Sequence, residues 1–348
     1  METKKIRALI VDDSILFRTV LSKLVNEDKS IEVVGTAGDA YDARDKILEL
    51  RPDVLTLDIE MPKMNGIDFL KKLIPQYPIP VVVVSSLPIN AFEALDAGAV
   101  EYIKKPVVQG QGDLKNFAVE LREKIKIASS ARVGQISKVT QPSVSSNSFN
   151  QIQQNRNTII AIGASTGGTD AIQAVIKNLP KETPPIIITQ HMPPKFTSMF
   201  AQRLDKNSLM EVREAQDGDR LTVGLVLIAA GEYHLRLAKD AIGYYVKSEQ
   251  GERVSGHCPS VDVLFDSVAE VGKANAIGVI LTGMGSDGAK GLLKMRKAGA
   301  YTIGQDKESC VVYGMPMVAF NIGAVITQTS LEKIPNAIYK QLQGKKSE

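Results

Sequence analysis

The chain has 348 residues, 44% hydrophobic and 23% charged, with a net charge of +3 and no tryptophan. That length favours two domains, each large enough to bury its own core. The small net charge gives no argument for nucleic acid or a membrane surface, and no apolar stretch approaches the ~18 residues of a spanning helix.

METKKIRALIVDD runs directly into a strand ending in carboxylates, which is not the layout of a signal peptide. The expected location is the cytoplasm, with Cys258 and Cys310 as free thiols. Ile6 to Val11 predicts an apolar strand ending in Asp12-Asp13, and Ile15, Leu16, Val20, Leu21 and Leu24 follow as one helical stripe. A second strand, Val54 to Leu57, ends in Asp58; a third, Val81 to Val84, ends in Ser85-Ser86; a fourth, around Tyr102-Ile103, ends in Lys104-Lys105-Pro106. In a doubly wound parallel sheet the carboxyl ends of the strands share one edge, where ligands bind. Carboxylates, a hydroxyl and an ammonium therefore meet in one pocket. Carboxylates without His or Cys suit Mg²⁺, and Lys and hydroxyl can then contact a phosphoryl group. One strand-terminal Asp is commonly a helix cap; the matched set is what points to a site.

On these residues and on IEMPKMNG after Asp58, residues 4 to 126 resemble a response-regulator receiver domain, a flavodoxin-like fold. The resemblance implies that a histidine kinase phosphorylates Asp58. It implies Mg²⁺ held by Asp13, Asp58 and the Glu60 carbonyl, with Asp12 acting through water. It makes Ser85, Lys105 and Tyr102 the switch residues and Lys105–Pro106 a cis peptide bond. The stretch between Ser86 and Ala99 is a few residues short of the family pattern, so the helix there is expected to be trimmed.

Residues 127 to 156 are rich in Ser, Gln and Asn and lack apolar periodicity, the composition of a flexible linker. The expected organisation is a receiver over 1–126, this linker, and a second α/β domain over 157–348 with a parallel sheet. Turn signals at Asp217-Gly218 and Ala230-Gly231 predict an antiparallel extension within about 212 to 256. No internal repeat is visible.

TIIAIGASTGGTDAI, residues 158 to 172, reads as a buried strand, a Gly-rich turn and a helix start. Such a turn can cradle a phosphate or present a nucleophilic hydroxyl. No GK[ST] follows, and the glycines do not fit G-x-G-x-x-G, which leaves Ser165 as a nucleophile in need of a base. Of the three histidines, His191 closes the apolar run Ile186 to Gln190 and so reaches the same sheet edge. His234 lies in the antiparallel part and His257 in a loop before a helix. The stretch NAIGVILTGMGSDGAKGLLKM repeats the strand–turn–helix pattern with Asp287 in the turn, where the N–H of Met284 can meet an oxyanion. Asp287 alone would be an ordinary N-cap; three polar residues at three strand ends in the order Ser, His, Asp are not.

GASTGGTDAI, ITQHMPP, PSVDVLFDSVA, GVILTGMGSDGAKGLL and CVVYGMP, spread over about 157 to 343, are similar to the catalytic domain of the CheB family of chemotaxis protein-glutamate methylesterases. The resemblance implies an α/β hydrolase with Ser165 as nucleophile, His191 as base and acid, and Asp287 as its orienter. Met284 would supply the oxyanion N–H and Thr166 a hydroxyl near the substrate. The substrate would be methyl-esterified glutamate on chemotaxis receptors, with glutamine deamidation by the same acyl chemistry and no cofactor for either. An unphosphorylated receiver would block the Ser165 edge, and phosphorylation would open it. Cys258 departs from the family, in which arginine is common after His257, and so does AAGEYHL, where a proline-containing loop is usual. The rival reading is a response regulator with a non-catalytic protein-binding output, and the Ser, His and Asp set argues against it. A small-molecule esterase is disfavoured by the lack of G-x-S-x-G, and a DNA-binding output by the lack of a basic recognition helix. A monomer is expected.

Overall fold

A computed structural model of the chain describes residues 4–86, 88–106, 111–133 and 157–344. The chain divides into two compact units, Met1–Ile136 and Ser137–Glu348. In the first, β1 (Ile6–Val11), α1 (Ile15–Val25), β2 (Ile31–Ala37), α2 (Ala40–Leu50), β3 (Val54–Asp58), α3 (Gly66–Leu73), β4 (Val81–Ser85), α4 (Pro88–Asp96), β5 (Glu101–Lys104) and α5 (Gln111–Ser129) alternate strictly. The strands form one parallel sheet in the order β2-β1-β3-β4-β5. Strands β3 and β4 are buried along their whole length, as continuous apolar runs must be when helices cover both faces. The order reverses between β1 and β3, so the crevice at their carboxyl ends is the expected ligand position. The segment expected to be trimmed forms the nine-residue helix α4.

Helix α5 runs on to Ser129, three residues into the expected linker. Residues 134–156 of that linker lie outside the described residues.

The second unit holds β6 (Ile159–Ala164), α6 (Gly168–Ile176), β7 (Ile186–Gln190), α7 (Phe196–Lys206), β8 (Glu211–Glu214), β9 (Leu225–Ile228), β10 (Tyr233–Lys239) and β11 (Tyr244–Gln250). After them come α8 (Val261–Val271), β12 (Ala276–Ile280), α9 (Ala289–Lys297), β13 (Tyr301–Gln305), α10 (Met315–Asn321), β14 (Thr327–Thr329) and α11 (Ile334–Gly344). Seven strands in the order β14-β13-β12-β6-β7-β9-β8 make a wholly parallel sheet. The antiparallel pair expected between 212 and 256 is β10–β11, a two-stranded sheet of its own. β8 and β9, from the same stretch, pair parallel and extend the main sheet instead. The turns around Gly218 and Gly231 thus mark connections and not hairpins. The hairpin buries Leu235, Leu237 and Val246 in one core with Val261, Leu264 and Phe265 of α8. The Leu237 N–H also donates to Ser267 Oγ of α8 at 2.8 Å. Burying a Leu or Phe side chain is worth roughly 1.5–3 kcal/mol, so this packing fixes α8, whose N-terminus matters below.

Candidate functional site

The order of the second sheet reverses between β6 and β12, and both strands deliver their next residues to the crevice there. Parallel register pairs Ala164 of β6 with Gln190 of β7, so Ser165 and His191 are the next residues on neighbouring strands. The His191 N–H donates to the Ala164 carbonyl at 3.2 Å, and the Ser165 N–H to the Thr282 carbonyl, just past β12, at 3.0 Å. Gln190 spans the first pair: its Nε2 donates to the carbonyls of Ser165 and His191 at 2.9 and 3.2 Å. Thr282 ties the other side, donating from Oγ1 to the Thr166 carbonyl at 2.9 Å.

His191 Nε2 lies 2.8 Å from Asp287 Oδ2. Asp287 sits at the N-terminus of α8, where Ser260 Oγ donates to Oδ1 at 2.8 Å, the Asp262 N–H to Oδ1 at 3.0 Å and the Val261 N–H to Oδ2 at 2.7 Å. Orphan N–H groups and the helix dipole both favour a carboxylate there. Burial pushes the Asp287 carboxyl up, but the His191 hydrogen bond and charge and these backbone donors outweigh it, and the pKa falls below the ordinary 3.8. An ionised Asp287 can only accept, so Nε2 carries a proton, and in the neutral imidazole Nδ1 is then the nitrogen with the lone pair. Nδ1 is buried and finds no hydrogen-bond partner among the described residues, Ser165 included. Such bonds often close only with substrate present.

The remaining expected residues sit on the same edge. Gly283 places its carbonyl under the N–H groups of Gly314 and Met315, while the Met284 N–H enters none of the hydrogen bonds found among the described residues. The Met284 side chain is exposed and Thr166 is buried. A β-carbon on Gly283 would lie 2.6 Å from Ser165 Cβ and 2.5 Å from Met315 Sδ. Gly283→Ala is therefore expected to displace Ser165 and lower hydrolysis on the order of 100-fold, with an overpacking cost of about 1–3 kcal/mol. Activity assays paired with thermal unfolding check both; an active, unshifted variant would mean that Ser165 tolerates the displacement.

In the first unit the carboxyl ends of β1 and β3 bring Asp12, Asp13 and Asp58 together, with one oxygen of each within 4.8 Å of the others. Asp12 and Asp58 are buried, and Lys105 Nζ bridges them at 2.7 and 2.6 Å. The Phe17 ring lies 4.8 Å from the same ammonium. Ser85 is buried at the adjoining strand end and its carbonyl accepts the Lys105 N–H at 2.9 Å. Tyr102 is buried on β5, which pushes its phenol pKa up. Glu60 is exposed, its N–H donating to Asp58 Oδ1 at 3.2 Å. Three hard oxygen donors without His or Cys fit Mg²⁺. The expected cis bond is not at Lys105–Pro106; the one among the described residues is Cys258–Pro259. Lys105 reaches both carboxylates without it.

Burial, above all, pushes the Asp58 carboxyl up to about 6, with Asp12 adding to it and Lys105 opposing. The folded state then holds a proton that the unfolded chain has released, so stability falls as pH rises from about 4 to 6. Asp58→Asn is expected to raise the receiver melting temperature by roughly a few degrees at pH 7.5 without Mg²⁺. The gain should shrink as pH approaches 4; in calorimetry of the full chain, a gain independent of pH would point away from burial of the charge.

Neither cysteine is in a disulfide. His234 is structural: it is buried, with Nε2 against the Glu252 carbonyl and Nδ1 accepting the Ser260 N–H at 3.3 Å. Ser260, Gln190, Thr282 and His257, which stacks on His191, join the site although strand-end reasoning did not select them. PSVD before an apolar periodic run is a helix-start signal that could have found Ser260.

The CheB methylesterase family model matches residues 160–338 and the response regulator receiver domain model residues 8–116. Over 98% of both chains, the sequence is 53% identical to a protein-glutamate methylesterase/protein-glutamine glutaminase 2 of Syntrophomonas wolfei. It is 48% identical to a protein-glutamate methylesterase/protein-glutamine glutaminase of Syntrophotalea carbinolica, over 99% of each. The crystal structure of the Thermotoga maritima CheB methylesterase catalytic domain aligns with a TM-score of 0.52 at 40% identity, covering 53% of this chain and 98% of that one.

Proposed function

The chain belongs to the CheB methylesterase family, with a response-regulator receiver in the same chain, and on that premise we propose that it is a phosphorylation-regulated protein-glutamate methylesterase and protein-glutamine deamidase of chemotaxis receptors. The observation that carries the chemistry is His191, bonded through Nε2 to an acid held at a helix N-terminus, with a buried, unpartnered Nδ1 and a backbone position next to that of Ser165 on the neighbouring strand.

In this reading Nδ1 takes the Ser165 proton as Oγ attacks the carbonyl carbon of a methylated glutamate side chain. The Met284 N–H donates to the oxyanion, and Thr166 helps hold the turn beside the substrate. The tetrahedral adduct collapses, methanol leaves with the proton from His191, and an acyl-serine remains. Water, deprotonated by His191, then releases the carboxylate and restores Ser165. Glutamine enters the same cycle with ammonia leaving in place of methanol. Neither reaction needs a cofactor.

Asp58 is the phosphoacceptor for a histidine kinase. Mg²⁺ would be held by Asp13, Asp58 and the Glu60 carbonyl, with Asp12 through water, and bound there it neutralises phosphoryl oxygens. Lys105 and Ser85 would contact the phosphoryl group, with Tyr102 responding as the switch aromatic. The receiver then runs past the expected 126 to the end of α5 at Ser129, with a linker from there to 156 and the catalytic domain over 157–348. In this reading the protein acts as a monomer in the cytoplasm on the exposed parts of receptors; no described helix is long and apolar enough to cross a membrane.

The test is methanol release from methylated receptor membranes, with and without a small phosphodonor. Release should rise with the donor, and Asp58→Asn should abolish the rise while leaving the basal rate. Release indifferent to the donor would detach regulation from Asp58.

A further inference from the structure

His191 has a second imidazole on its face. The His257 ring stacks on it with centroids 3.7 Å apart and planes 10° from parallel, close enough to exclude water between them. The backbone brings that ring there deliberately. Val254 and His257 exchange two backbone hydrogen bonds of 3.0 Å each. Ser255 and Gly256 between them both have positive φ, 53° and 84°, the pattern of a two-residue type I′ turn. A β-carbon on Gly256 would meet nothing, so glycine is there for its φ and not for space. The chain then enters α8, whose first residues hold Asp287. One segment, 254–262, thus covers the face of His191 with His257 and holds the Asp287 carboxylate that bonds its edge.

The two grips do different things. The bond from Nε2 to Asp287 fixes one atom and the tautomer, but it leaves the ring free to tilt about the line through that atom and Cβ. Tilting swings Nδ1 away from Ser165. A flat ring at contact distance on the face removes that freedom. It also presents a π-face to the positive charge that His191 gains on taking the serine proton, an interaction that strengthens only as that charge develops. Resting on the reading of Ser165, His191 and Asp287 as the catalytic set, we propose that His257 is a positioning residue that sets the ring plane of His191 and so the aim of its base nitrogen.

The test compares wild type, His257→Ala and His257→Phe, with Ser165→Ala and His191→Ala as controls, in two readouts. One is the rate at which an alkyl fluorophosphonate labels Ser165, which reports nucleophile activation without receptor binding. The other is kcat and KM for methanol release, with melting temperatures alongside. His257→Ala is expected to slow labelling and lower kcat on the order of 100-fold while KM stays close to wild type. His257→Phe, flat but without ring nitrogens, should recover most of both. Labelling of His257→Ala at the wild-type rate overturns the proposal. So does a folded His257→Phe as slow as His257→Ala, because the ring nitrogens and not the face would then matter. Wild-type labelling that is absent, or that survives His191→Ala, would instead overturn the catalytic assignment beneath it.

Discussion

Ser165→Ala is expected to abolish ester and amide hydrolysis together, each falling roughly 10⁴–10⁶-fold, with little change in melting temperature. The turn that carries Ser165 is held by backbone groups: its N–H on the Thr282 carbonyl, and its own carbonyl under Gly168 N–H and Gln190 Nε2. Deleting Oγ therefore removes the nucleophile and leaves the scaffold. His191→Ala should cost about as much, and the double variant little more, because each loss disables the same step. Methanol and ammonia release from methylated and unprocessed receptor measure the two activities separately. Deamidation surviving in Ser165→Ala would require a second site, and a large fall in melting temperature would make the loss structural.

The candidate catalytic set was legible because parallel α/β sheets turn a one-dimensional pattern into a shared edge: any polar residue that closes an apolar run arrives there. Ser165 and His191 each do so, as Asp12, Asp58 and Ser85 do in the receiver, whereas Asp287 lies in the Gly-rich turn that follows β12. The order of strands was not legible. Nothing local in Leu225 to Ile228 says whether it pairs antiparallel with a hairpin partner or parallel with β7, since the same apolar run suits both. It lies parallel, against β7 and β8. Contacts that depend on side-chain direction were equally hidden. His257 reads from sequence as a loop residue, and only the Val254–His257 turn aims its ring at His191. The use of Nε2 and not Nδ1 toward Asp287 likewise follows from where α8 begins, a property of the packed hairpin and not of any motif. A cis bond inferred for Lys105–Pro106 failed because the family pattern stood in for geometry; the Lys105 ammonium bridges its two carboxylates without it.

Asp287→Asn should lower hydrolysis about 10⁴-fold and also destabilise the catalytic unit, by roughly 2–4 kcal/mol. Each carboxylate oxygen faces two donors. Oδ1 receives Ser260 Oγ and the Asp262 N–H; Oδ2 receives the Val261 N–H and His191 Nε2. An asparagine must turn its NH₂ toward one of these pairs, and both orientations set donor against donor in a buried place. If the amide nitrogen faces Val261 and His191, the imidazole can escape by moving its proton to Nδ1 and accepting through Nε2. Its base nitrogen then points a proton at Ser165, and the nucleophile cannot be activated. If the nitrogen faces Ser260 and Asp262, the tautomer survives but the N-terminus of α8 loses its anion and the Asp262 N–H its acceptor. The two outcomes separate experimentally. Nitrogen NMR of His191 reads the tautomer, and thermal unfolding reads the helix end. A variant that kept wild-type activity with the proton still on Nε2 would show that Asp287 is a helix cap and nothing more. A variant stable as wild type but inactive would show the opposite, an orienting acid whose cradle contributes nothing to folding. The four donors on one carboxylate predict both losses at once, because the atoms that orient His191 are the atoms that anchor α8.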